Sequence, residues 1–515
     1  MIPARAAEIQ ARLRNRAPMA LLIDGEWRAP ATGGSFPTLN PATGETLAHI
    51  GAGDASDIDR GVAAARRALS GPWRDVTPFE RQDLLLRFSD LVDDHWEELC
   101  LLDTLEMGAP FGHDRREIIG RLRFCAGFAT ALRGQTIPTS GPGEVFAYTR
   151  KEPVGVVGAI IPWNGPLPAT LWKLGPILAT GCTLVLKPAE EASLTALRLG
   201  ELALQAGVPP GVINIVTGSG EVAGAALAAH PDVDKIAFTG SSETGRLIVR
   251  ASAGNLKRLS LELGGKSPHV IFADADLEAA AQAAALGVFA NCGQICCAGT
   301  RVFIERPIYE DFVERVSAIA SGLKVGNGIE PGIDIGPLVS ARQLERVRSY
   351  IDLGCREGAQ ILAGGTPPAD PQLAGGYFMR PTVFSRVTDS MRIAREEIFG
   401  PVLCAIPFDD FDEVVSRAND TRFGLAAGVW TRDLGVAHRM AARLHAGSVW
   451  INCYNVFDPA LPFGGYRESG YGRESGIEQI EEYLQVKAVT VRLEARAAPR
   501  AVPPPERPIS DGRRP

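Results

Sequence analysis

The chain has 515 residues, 45% of them hydrophobic and 22% charged, with a formal net charge of -7. This is an ordinary globular composition with room for roughly two to four domains, each able to bury a core. The acidic balance leaves no basic footprint for a nucleic acid, and no run of about 18 apolar residues exists to span a bilayer, so neither partner is expected.

The opening "MIPARAAEIQARLRNRAP" carries four arginines before Pro18 and lacks the apolar centre of a secretory signal. A short exposed helix is expected there rather than a transit peptide. Residues 21–54 are rich in turn formers and short apolar runs, which suits a hairpin layer. Helical periodicity then predicts amphipathic helices over Ala55–Ser70 and Pro78–Glu106. "GQTIPTSGPGEVFAYTRKEP" breaks that pattern, and the alternation of "EVFAYTR" suits an exposed strand.

From Val154 the texture changes to short β-branched runs, "VGVVGAIIP", "TLVLKP", "INIVTG" and "KIAFTG", separated by helical stretches. Strand, helix, strand at this spacing predicts βαβ units on a parallel sheet. A second alternating series begins at "HVIFADAD" and continues through "TRVFIE", "VLCAIPF", "AAGVWT" and "GSVWIN". "YLQVKAVTVRL" reads as one long strand that could join "EVFAYTR" in a separate β unit, whose edge invites another subunit. Residues 496–515, dominated by Pro and Arg, are expected to be a disordered tail.

The nine cysteines are scattered between Cys100 and Cys453, too sparse for a secreted disulfide framework, and point to a reducing, cytoplasmic setting. The densest stretch, "FANCGQICCAG", holds Cys292, Cys296 and Cys297. A zinc site needs about four ligands, and neither a second cysteine pair nor a nearby His supplies them. Vicinal Cys296 and Cys297 are poorly placed for a relaxed disulfide. Buried structural cysteine and a nucleophile both stay open. The nucleophile reading expects a helix broken at Gly293, a turn, and then Cys296 near the start of a new turn or helix, with backbone N–H groups lowering the thiol pKa.

Other segments supply partners. Glu262 in "LELGGKSP" is a lone carboxylate in an apolar run, suited to a general base if buried and to a plain ion pair if Lys266 reaches it. Asn164 in "IIPWNG" follows an apolar strand, where open α/β sheets gather ligands, and its amide could serve an oxyanion or cap a turn. Lys187 and Glu190 end another strand and could hold ribose hydroxyls. "AFTGSSETGR" could bring a helix N-terminus to a pyrophosphate. Neither it nor "TGSGEVAG" is a G-x-G-x-x-G motif, and either could be a solvated turn.

Taken together, "PWN", "KPAE", "FTGS", "LELGGKSP", "GQICCA", "EEIFGPV", "PFGG" and "SGYGRE" stand in the order found in the aldehyde dehydrogenase superfamily, which the chain resembles from near Asn40 to near Val489. The resemblance implies an α/β fold with two doubly wound domains, one cofactor-binding (19–133 and 154–264) and one catalytic (265–465). It also implies a small β oligomerisation element (134–153 and 478–495) and a homodimer or homotetramer. It implies Cys296 as nucleophile, Glu262 as general base, and Asn164 with the Cys296 N–H as oxyanion donors. Lys187 and Glu190 would contact the adenosine ribose, Ser241 the pyrophosphate, and Glu397 and Phe399 the nicotinamide side. Ile161, Pro162, Trp163, Gly220, Phe238, Thr239, Gly240 and Leu263 complete the implied cofactor contacts. The implied cofactor is NAD, favoured over NADP because Glu190 would repel a 2′-phosphate, and no metal is required.

Glu262 favours hydrolysis of a thioester over its transfer to coenzyme A, since acylating relatives generally lack that carboxylate. Small residues at Gly165, Ala169 and Ala290 face aromatic Trp172, Phe457 and Phe463 in the implied tunnel, with Ile295, Cys297 and Asn455 alongside. A bulky apolar aldehyde, aromatic or long-chain, is therefore expected. Glu117 near the tunnel mouth would suit a cationic amino-aldehyde such as betaine aldehyde instead. A third reading keeps the fold without catalysis; such a chain would be free to lose Cys296, Glu262 or Asn164, and it has all three.

Overall fold

The computed structural model describes residues 2–15, 17–141 and 143–493; the tail expected at 496–515 lies outside the described residues. The β-branched runs after Val154 form the middle of an eight-stranded sheet. Its spatial order is Gly470–Tyr471, Arg258–Glu262, Lys235–Thr239, Val156–Ile160, Thr183–Lys187, Ile213–Ile215, Leu21–Ile23 and Glu26–Arg28. The five inner strands are parallel, while the two ends are closed by antiparallel additions. Val156–Ile160 and Thr183–Lys187 are buried at every position, as expected of parallel strands covered by helices on both faces.

A second sheet of seven strands runs Gln360–Ala363, Thr382–Ser385, Val402–Phe408, Arg301–Glu305, Pro268–Ile271, Ala426–Trp430 and Ser448–Ile451. All its pairings are parallel except the first. The described residues divide into two compact units. Both large sheets belong to the one formed by residues up to Leu132 with Pro153–Gln485. The other, from Arg133–Glu152 and the residues after Gln485, is built on a three-stranded sheet with Val145–Pro153 between Thr136–Ile137 and Leu484–Arg492.

Local signals account for most element boundaries. Helix Ala55–Ser70 starts at a capping box between Asp54 and Asp57, and helix Pro78–Asp94 at one between Thr77 and Glu80, with Pro at the first position. Two expectations need correction. The helix expected over Pro78–Glu106 is two, Pro78–Asp94 and Trp96–Met107, because His95 leaves helical geometry (φ -101°, ψ 16°) and turns its Nδ1 onto the Leu91 carbonyl at 2.9 Å. The N-terminal helix, Ile2–Arg14, is not merely exposed: Ala6, Ile9 and Leu13 recur on one face and are buried with Leu47, Ile50, Leu101 and Leu105.

Candidate active site

Four parallel strands end in register at one edge of the large sheet, with Ile160 beside both Lys187 and Phe238, and Thr239 beside Glu262. The residues just past those ends line a cleft of about 750 Å³. Pro162, Trp163 and Asn164 line it after the first strand, Thr239, Gly240 and Ser241 after another, and Glu262 and Leu263 after a third. Cys296, Glu397 and Phe399 reach it from the catalytic-sheet side. An open parallel sheet binds its ligands at this kind of crevice.

Cys296 sits where the backbone is forced to turn. Helix Leu277–Phe289 ends, and Asn291 and Cys292 take left-handed conformations (φ 49° and 53°). Gly293 follows at φ 73°, and a Cβ there would lie 2.1 Å from the Gly400 carbonyl, so only glycine fits. Cys296 and Cys297 then occupy a turn closed by the Ala298 N–H on the Ile295 carbonyl at 3.2 Å. Of the turn or helix expected at Cys296 the chain forms the turn, after the left-handed residues redirect it. The thiol is not lowered. Hydrogen bonding with the Cys297 thiol, then burial, push it well above the usual range.

The remaining groups converge on that turn. Asn164 Nδ2 donates to the Gln294 carbonyl at 2.9 Å, while Asn291 Nδ2 donates to the Asn164 carbonyl at 2.9 Å. One Asn164 N–H and the Cys296 backbone N–H have no acceptor among the described residues. Gln294 is itself fully buried and accepts from the Val339 N–H at 2.9 Å, which fixes the loop from behind. Glu262, 4% exposed, has no hydrogen-bond partner on either oxygen. The ion pair with Lys266 does not form, since the Lys266 ammonium is also unpartnered. Burial, then the negative charge of Glu474, raise Glu262 well above the carboxylate range, against an opposing pull from Lys173. Glu474 is buried in an ion pair with Lys173. It falls within "SGYGRE", yet no local spacing announces that it would approach Glu262.

On the cofactor-contact side, Lys187 and Glu190 form an ion pair at 2.9 Å, and Glu190 also accepts from the Gly220 N–H at 2.5 Å. Burial opposes ionisation of Glu190, but the Lys187 charge and hydrogen bond outweigh it and hold the carboxyl below its ordinary value. Ser241 caps helix Ser242–Ala251, whose N-terminus meets the cleft. Glu397 accepts from the Gly265 N–H at 3.1 Å, and burial pushes it up to about 7. Phe399 meets Trp163 edge-on, centroids 5.4 Å apart. Ile161 and Phe238 turn their side chains into the hydrophobic cores. Lys187, Glu190 and Gly220 do not line the cleft itself; the helix N-terminus at Ser241 and the aromatic pair that do line it, with Cys296, suit the pyrophosphate and flat ring of a dinucleotide.

Beyond Cys296 lies an aromatic wall: Trp172 packs on Phe463 (6.1 Å), Phe463 on Phe457 (5.5 Å) and Phe457 on Trp450 (5.7 Å). Ile295 and Cys297 belong to the same apolar cluster, and the Cys297 thiol donates to Asn455 Oδ1 at 3.4 Å. Gly165 and Ala290 cap the helices Pro166–Thr180 and Leu277–Phe289, while Ala169 packs on the helical core. Glu117 is ion-paired to Arg121, a residue that no motif or spacing singles out. Arg121 is 2% exposed, bonds Ser475, and stacks its guanidinium 4.3 Å from the Trp172 ring centre.

The chain matches the model of the aldehyde dehydrogenase family over residues 27–489. It is 50% identical to aldehyde dehydrogenase family 2 member B4, mitochondrial, of Arabidopsis thaliana over 92% of this chain and 88% of that one. It is 48% identical to the mitochondrial benzaldehyde dehydrogenase of Antirrhinum majus over 92% of this chain and 89% of that one. The NAD+ complex of an aldehyde dehydrogenase from Bacillus cereus superposes with a TM-score of 0.91 at 47% identity, covering 94% of this chain and 98% of that one.

Proposed function

Because this chain belongs to the aldehyde dehydrogenase family, whose members oxidise aldehydes, we propose that it converts a bulky apolar aldehyde to the carboxylic acid with NAD, through a thioester on Cys296. The observation that carries this reading is the convergence of Cys296, Asn164 and Glu262 on one cleft at the ends of parallel strands. The Cys296 thiol gives up its proton to solvent, and Sγ bonds to the carbonyl carbon as the carbonyl π pair moves onto oxygen. The oxygen that becomes negative is met by the spare Asn164 N–H and the Cys296 backbone N–H, donors of the kind worth about 3 kcal/mol each. Lys187, Glu190, Ser241, Glu397 and Phe399 would hold NAD, which would supply the two-electron oxidant for removal of that carbon's hydrogen. Glu262, ionised, then accepts a proton from water; the water oxygen bonds to the thioester carbon, the C–S bond breaks, and the carboxylic acid leaves.

Glu262 supports hydrolysis over transfer to another thiol. The ionised Glu190 supports NAD over NADP, since a 2′-phosphate beside it would add like charge. The aromatic wall from Trp172 to Trp450 supports an aromatic or long-chain substrate, as does the 48% identity to a relative named for benzaldehyde. A cationic amino-aldehyde is disfavoured because the Glu117 charge is already neutralised by Arg121. The three-stranded sheet is the proposed site of assembly into a homo-oligomer.

The test follows reduced cofactor by absorbance with benzaldehyde, long-chain aldehydes, betaine aldehyde and acetaldehyde, with Cys296→Ala alongside. Aromatic or long-chain substrates should give the higher kcat/KM, and the variant should be silent. Acetaldehyde or betaine aldehyde in first place would remove the substrate assignment, and activity in Cys296→Ala would remove the mechanism.

A further inference from the structure

We propose that Tyr454 is a positioning residue for the nucleophile, holding the Cys296 turn through the backbone of its neighbour; the proposal rests on the assignment of Cys296 above. The Tyr454 hydroxyl donates to the Cys297 carbonyl at 2.7 Å. It is one of three contacts made to carbonyls of the loop. Asn164 Nδ2 holds the Gln294 carbonyl at 2.9 Å, and Gly265 lies so near the Cys296 carbonyl that a Cβ there would come within 2.6 Å of it. With the carbonyls engaged behind, the Cys296 N–H is left facing no protein acceptor, as an oxyanion donor must be.

The tyrosine is itself fixed on every side. Its ring stacks on His269, centroids 4.5 Å apart with 24° between planes, and packs on Trp450 at 4.8 Å. Three glycines make the slot. A Cβ at Gly287 would lie 3.0 Å from the ring, one at Gly428 2.7 Å, and one at Gly299 3.0 Å from the hydroxyl. Burial lowers His269 to about 3, so it packs a flat neutral ring on the tyrosine, and neither of its nitrogens is hydrogen-bonded among the described residues. This is more order than a surface turn needs, and it directs the hydroxyl onto the Cys297 carbonyl. A turn freed of that bond would sample orientations in which Sγ and the Cys296 N–H no longer address one carbonyl group together.

The variant Tyr454→Phe removes the bond and keeps the ring. Steady-state kinetics and iodoacetamide labelling of Cys296, quantified by peptide mass spectrometry, are measured with the melting temperature. The expected result is a kcat lowered about tenfold, KM for aldehyde and NAD within about twofold, slower Cys296 labelling and little change in melting. Unchanged kcat and labelling would overturn the proposal, as would a loss accounted for by unfolding alone. Should Tyr454→Phe fold poorly, His269→Ala loosens the ring while sparing the hydroxyl. It must lower kcat and labelling in the same direction, and no change in either would also overturn the proposal. Failure of the underlying assignment is recognised separately, by wild-type turnover that survives Cys296→Ala.

Discussion

Glu262 and Cys296 present the same problem at the scale of single residues: both are surrounded so that the neutral form is favoured. The water that attacks the thioester needs a base, and a carboxyl with no hydrogen-bond partner is a stronger base than one in water. Turnover should therefore rise with pH as Glu262 gives up its proton, with the limb lying above the ordinary carboxylate range. In Glu262→Gln the thioester should form and persist: a burst of reduced cofactor near one equivalent per site, then turnover slowed by about 10²- to 10⁴-fold. A stopped-flow trace without a burst, or with an unaltered steady state, would contradict this. Arg121 invites a second substitution. Arg121→Met leaves Glu117 unpaired in a largely buried setting, a loss on the order of 3 kcal/mol, and removes the cation behind Trp172. Adding Glu117→Gln should recover part of that stability but not the aromatic-over-aliphatic kcat/KM ratio. A denaturation cycle showing no coupling between the two positions would refute the pairing.

At the scale of elements, what the sequence made legible is what short-range chemistry decides. Helix Ala55–Ser70 is bounded by its capping box, and the β-branched runs of the parallel sheet differ from their flanking helices in residue type as well as period. The break at His95 was hidden because apolar periodicity continues through a one-residue departure from helical geometry. The left-handed path into the Cys296 turn was hidden because the residue types of Asn291 and Cys292 do not demand that backbone. Long-range pairs were invisible in a stronger sense: Lys173 and Glu474 meet across 301 residues. Glu106 is another such case. Its carboxylate accepts from the Leu194 N–H at 2.7 Å and the Thr195 N–H at 3.0 Å, the unpaired donors at the start of helix Leu194–Gln205, where Ser193 makes no side-chain cap. Glu106→Ala should cost about 2 to 4 kcal/mol by leaving two buried donors and a cavity, with Glu106→Gln milder. Urea denaturation measures both; a loss under about 0.5 kcal/mol for the alanine would show that another group caps this helix.

For the whole molecule, the question is what completes the small three-stranded sheet. Few such sheets are stable alone unless a face is covered, and this one ends on Leu484–Arg492, a nine-residue strand with one neighbouring strand among the described residues. Val486, Val491 and Leu493 on or beside that strand are 63%, 41% and 56% exposed. A long, unpaired and partly apolar edge is what proteins normally shorten, charge or cover, and Lys487 does not serve as a free edge charge because Glu152 pairs with it at 2.6 Å. Covering it with a second copy of the same chain would answer the edge and the exposed valines at once, which is the physical case for the proposed homo-oligomer. Val486→Asp with Val491→Asp places two carboxylates on that strand, far from Cys296 in the sequence and in the other compact unit. Sedimentation velocity should then show the wild type as a dimer or tetramer and the double variant shifted towards monomer. An unchanged sedimentation coefficient would move the assembly surface elsewhere, and a monomeric wild type would remove the need for one.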